Sequence, residues 1–61
     1  MTYSMSELQQ CAAREVNMRR KVYPNRVLTG RMTQKQADAE IDKMAAIADL
    51  LGELGNGEKL L

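Results

Sequence analysis

Val22-Tyr23-Pro24-Asn25-Arg26-Val27-Leu28-Thr29-Gly30-Arg31-Met32-Thr33 decides how this chain folds. The segment holds the single proline, one of two tyrosines and the first of four glycines. Pro24 disfavours helical geometry at Tyr23 and donates no N–H. A helix arriving from the N-terminal side is therefore expected to stop there. Proline is favoured at the start of a helical turn, which predicts a short turn over residues 24–29. Gly30 should close it with positive φ. Val27 and Leu28 are expected to tuck back and seal that end of the core. Thr33-Gln34-Lys35-Gln36 then forms a Thr-x-x-Gln capping box, with Met32 and Ala37 placed for a small hydrophobic staple.

On the N-terminal side, Ser4-Met5-Ser6-Glu7 fits a second capping box, with Ser6 as a rival cap. The first helix is expected over residues 5–22, roughly 27 Å long. At 100° per residue, Met5, Leu8, Cys11, Ala12, Val16, Met18 and Val22 share one side. Glu15 and Arg19 project into that side, acid first at i,i+4. They are either a local pair over the core edge or a polar seam that fixes register between helices or subunits. Arg19, Arg20 and Lys21 suit the last turn of such a helix.

On the C-terminal side, a second helix is expected over residues 34–54, roughly 31 Å long. Its stripe is Ala37, Ile41, Met44, Ala48 and Leu51, broadened by Ala45, Ile47 and Leu54. Glu40 borders the stripe, so a Glu15–Arg19–Glu40 cluster is plausible. Gly52 could stop the helix early, but the continuation through Glu53 and Leu54 favours Gly55. Residues 56–61 are expected to be a flexible tail, with Leu60 and Leu61 available to dock on a partner.

The whole is one domain over residues 1–61. It is all-α: an antiparallel two-helix hairpin with a helical turn in its corner. Leu8, Met18, Ile41, Met44, Ile47, Leu51 and Leu54 are the expected core and dimer residues. Two helices bury one face each, and a chain this short is marginal alone. The second helix carries more apolar surface than one neighbour can cover. A symmetric homodimer forming a four-helix bundle is the simplest remedy, and a heteromeric partner the alternative.

Composition narrows the chemistry. The chain has 61 residues, no His, no Trp and no Phe, five Met and one Cys. Cys11 has no partner for an internal disulfide and reads as a small buried apolar residue. One Cys without His makes no zinc ligand set, so no metal or cofactor is expected. No nucleophile–base pair and no phosphate loop is present, and the chain is read as not an enzyme. No signal peptide or membrane span is read from it, so a cytosolic protein is expected. Net charge is only +1, yet Arg19, Arg20, Lys21, Arg26, Arg31 and Lys35 fall within residues 19–35. Arg20, Tyr23, Arg26 and Arg31 are therefore the candidate partner-binding residues, because Tyr and Arg often anchor interfaces. The plainer reading is a solvated hairpin end with Tyr23 packed on Val27 and Met32. The basic corner could also meet phosphates, which makes a nucleic-acid-binding accessory protein the alternative, ranked second to a protein partner.

Arg19-Arg20-Lys21-Val22-Tyr23-Pro24, with Val27, Gly30-Arg31-Met32-Thr33, Ala37, Glu40-Ile41 and Met44, resembles a pattern of small phage- and prophage-encoded proteins. That pattern is R-R-x-V-Y-P-x-x-V-x-x-G-x-M-T followed by A-x-x-E-I-x-x-M, and it covers about half the chain. Characterised proteins it looks like are phage anti-activators of Pseudomonas quorum sensing. The resemblance implies a dimeric helical hairpin acting in host takeover in the cytoplasm of a bacterial host. It also implies that the hairpin inhibits a LuxR-type transcriptional activator, with a pilus assembly ATPase as a further target. No contact residue is carried over from it. A structural subunit of a phage assembly is a third reading.

Overall fold

A computed structural model describes residues 2–60, with side chains described for 2–56. Two helices, α1 (Met5–Leu28) and α2 (Gln34–Leu60), pack against each other as an antiparallel hairpin. The molecule is a rod of 47 × 18 × 16 Å. Among the described residues there is no strand, and no helix is long and apolar enough to cross a membrane.

Both helix starts follow from their caps. The Glu7 N–H donates to Ser4 Oγ at 3.1 Å, which satisfies one orphan donor of the first turn. At Thr33 both arms of the capping box form. The Gln36 N–H donates to Thr33 Oγ1 at 3.1 Å, and the Thr33 N–H donates to Gln36 Oε1 at 2.9 Å.

The corner differs from the sequence expectation first in the path of its helix. Pro24 lies inside α1, which continues to Leu28 instead of stopping at residue 22. Proline removes one donor and crowds the carbonyl four residues back. The following turn nevertheless holds because its far end is tightly closed. The Gly30 N–H reaches Val27 O at 3.1 Å and the Arg31 N–H reaches Arg26 O at 2.9 Å, the paired bonds of a Schellman motif. The Thr29 hydroxyl donates to Asn25 O at 2.9 Å. Gly30 sits at φ 75°, as expected. The cation in the last turn is thus Arg26, and Arg19, Arg20 and Lys21 lie further inside the helix.

The second correction is at the C-terminal end. α2 does not end before Gly55 but runs to Leu60. Gly55 is helical and buried against the start of α1. The expected contacts of Leu60 and Leu61 lie outside the described residues.

The core is built of small residues. Ala12, Val16, Ala37 and Ala48 are the buried apolar side chains, with Met44, Ala45 and Leu51 packed around them. Ala12 and Val16 centre the inner face of α1, and Met18 and Val22 lie outside it. Cys11, expected to be buried, is exposed. Leu28, expected to seal the corner, is 84% exposed. Cys11 stands about 100° around the helix from Ala12 and Leu28 about 120° from Val16, so both turn away from the contact between the helices.

Candidate functional site

The four candidate partner-binding residues separate into distinct places. Tyr23 is half-buried, while Arg20, Arg26 and Arg31 are exposed. The Arg26 guanidinium carbon stands 5.2 Å from the centroid of the Tyr23 ring, and that of Arg19 stands 5.9 Å from it. Both distances are within cation–π range. Tyr23 is thus flanked by two arginines. Arg20 is not part of this group. It lines a groove on the other flank of the hairpin with Asn17, Ala45 and Asp49. Six residues separate Arg20 from Arg26, which places them about 120° apart around the helix. Arg31 follows the Schellman turn. Among the described residues, Arg20, Lys21, Arg26, Arg31 and Lys35 enter no ion pair.

Arg19 has a different task. Its Nε donates to Glu15 Oε1 at 3.0 Å, and its Nη1 donates to the backbone carbonyl of Glu40 at 2.9 Å. Glu40 Oε2 lies 3.8 Å from Nη1, and Lys43 Nζ lies 3.5 Å from Glu40 Oε1. The expected Glu15–Arg19–Glu40 cluster therefore forms and gains Lys43. The hydrogen bond that Arg19 donates to Glu15 is the largest influence raising the Arg19 pKa above its ordinary value, with partial desolvation opposing it. Arg19 is charged at any working pH and acts as a fixed tie between the helices.

That tie also orients the exposed apolar residues. Glu15 stands four residues after Cys11, three before Met18 and seven before Val22, so all four share one flank of α1. Glu40 stands seven residues before Ile47 and fourteen before Leu54, so these share one flank of α2. Arg19 bridges Glu15 and Glu40, so the two flanks belong to one side of the hairpin. Met18 and Leu54 are each 51% exposed there, and Ile47 is 47% exposed. Val22 is exposed beside them, as is Leu50 at the outer edge. Leu8, Ile41, Met44 and Leu51 are half-buried. At the open end a shallow groove lies between Tyr3, Glu7, Leu8, Cys11 and Arg14.

Sequence reasoning found most of these apolar residues but merged two stripes of α1 into one. The separating signal was available. Ala12 and Val16 continue the line of Met5, Tyr23 and Val27, whereas Cys11, Met18 and Val22 form a second line. Among the described residues, no group of His, Cys, Asp or Glu is placed to hold a metal ion. Compared with known proteins, the chain matches no protein family, no curated protein and no solved structure.

Proposed function

We propose that this chain is a protein-binding inhibitor, a phage-encoded helical hairpin that works as a homodimer and sequesters a bacterial host regulator. The observation that carries the reading is the apolar side bearing Met18, Val22, Ile47, Leu50 and Leu54. Half-exposed side chains of this size release about 1 kcal/mol each when their remaining surface is covered. Five of them supply about 5 kcal/mol toward association before its costs are met. A second copy forming a four-helix bundle covers this side. The Tyr23–Arg26 group stays near the corner and can receive an acidic partner surface. A LuxR-type transcriptional activator as the target, with a pilus assembly ATPase as a further one, rests on the resemblance of residues 19–44 to phage anti-activators. The site of action in this reading is the host cytoplasm.

The test is titration of the purified chain into a purified LuxR-type activator, followed by calorimetry, with Arg26→Ala alongside. Saturable binding by the wild type, weakened at least tenfold in the variant, supports the proposal. Absence of binding, or equal binding by the variant, removes it. The second reading, a nucleic-acid-binding accessory protein, is favoured by the six cations and no acids in residues 19–35. Its mark is a gel shift at low salt that disappears steeply as salt rises.

A further inference from the structure

We infer that two copies pack through the Met18–Val22–Ile47–Leu54 side with their long axes opposed, so that the basic corner of each lies beside the open end of the other. The inference rests on the dimer reading and adds its direction. Two symmetric arrangements cover the same side. A twofold axis along the rod puts both corners at one end, and an axis across it puts them at opposite ends.

Charge decides between them. Gln9 lies beside Gly52, Met5 beside Gly55, and Arg19 on Glu40, so the middle of the rod falls near residues 16–17 and 43–44. The corner half, residues 17–44, carries seven Lys/Arg against three Asp/Glu. The open half, residues 4–16 with 45–56, carries Arg14 alone against Glu7, Glu15, Asp49 and Glu53. Corners side by side would set +4 against +4, whereas opposed axes set +4 against −3 at both ends. The rod is 18 Å and 16 Å across, about two Debye lengths at physiological salt, so the net charge of each half still acts on the copy beside it, with far-flank charges such as Arg20 and Asp49 acting more weakly. The area is sufficient. A side of 47 × 18 Å offers roughly 800 Å² per copy, the size of a standard stable interface.

The experiment places one spin label per chain at the corner, using Leu28→Cys in a Cys11→Ser background. Leu28 is 84% exposed and lies off the proposed contact side. Gln34→Cys, exposed and uncharged at the start of α2, serves as an independent second position, and circular dichroism checks that both variants remain helical. Sedimentation first establishes the mass, and double electron–electron resonance then measures the distance between labels. Opposed axes predict a dimer with labels about 40 Å apart, the length of the longer helix. A dimer with labels under roughly 20 Å, set by neighbouring helix spacing, overturns the direction while leaving the dimer intact. A monomer across the concentration range overturns the dimer reading and this inference with it. Opposed axes also predict a dimer dissociation constant that rises several-fold as the Debye length shrinks from about 30 to 3 Å. A dimer that tightens with salt would count against it.

Discussion

Gly55→Ala is a substitution whose sign separates two accounts of α2. If the helix ended at Gly55 in a left-handed conformation, as the local sequence suggests, a side chain there would cost about 1–2 kcal/mol. In the structure Gly55 is helical, and a Cβ built on it meets Met5 Cβ at 3.6 Å, the Ser6 nitrogen at 3.8 Å and the Met5 carbonyl carbon at 3.9 Å. These are ordinary van der Waals separations, so nothing has to move. Replacing Gly by Ala within a helix gains about 1 kcal/mol. The added methyl, shielded between the helices, contributes up to about 0.8 kcal/mol more. The expected outcome is stabilisation by about 1–2 kcal/mol. For a domain of this size each kcal/mol moves Tm by about 4–8 °C. Thermal melts followed by far-UV circular dichroism read this directly, with wild type and variant at equal protein concentration because association shifts Tm. Gly30→Ala is the internal contrast. Its surroundings are open, yet its φ is 75°, and it should lose about 1–2 kcal/mol through backbone strain alone. A fall in Tm for Gly55→Ala would refute the continuous α2 and the packing of Met5 against it.

Further substitutions probe the remaining supports. Thr33→Ala removes the hydroxyl that caps α2 and should lower stability by about 1 kcal/mol, read in urea melts; no change would mean that the Gln36 arm suffices. Ala48→Leu forces a large side chain into the seam between the helices and should cost about 1–3 kcal/mol, measured the same way. Arg19→Met keeps the aliphatic stem but deletes the bonds to Glu15 and to the Glu40 carbonyl. It should cost about 1 kcal/mol and increase amide exchange near residue 40. Arg26→Ala should leave the melt within about 0.5 kcal/mol of wild type, so any loss of partner binding in that variant reports contact and not unfolding.

Signals acting within a single turn were legible in the sequence. Ser4, Thr33 and Gly30 each do what their type and spacing predict, because a cap needs only its own next few residues. The Glu15–Arg19 pair was legible for the same reason, and Glu40 joined it because the antiparallel register brings residue 40 beside residue 19. What failed depends on the other helix. Pro24 looked like a stop because the strength of the closure beyond it, through Thr29, Gly30 and Arg31, is not a property of proline. Gly55 looked like a terminator because its close neighbour Met5 is fifty positions away. The buried face of α1 was drawn too wide, because Cys11, Met18 and Val22 lie close enough in angle to Ala12 and Val16 to read as one stripe; which of the two lines faces inward is decided by the position of α2. The candidate site was legible in composition only. Tyr23 and Arg26 meet, while Arg20 lies on another flank, as the helix spacing alone would have shown.

The alanine seam has a consequence for how sequences of this kind can diverge. In most domains the large apolar positions are the ones that resist change. Here the hairpin closes on the buried Ala12, Ala37 and Ala48, where most replacements are larger. Met18, Ile47 and Leu54 can vary without moving either helix. Selection for folding would therefore hold Ala12, Ala37 and Ala48 together with Val16, Met44 and Leu51, and leave Met18, Ile47 and Leu54 free. Any constraint found on those last three in relatives would measure association rather than architecture.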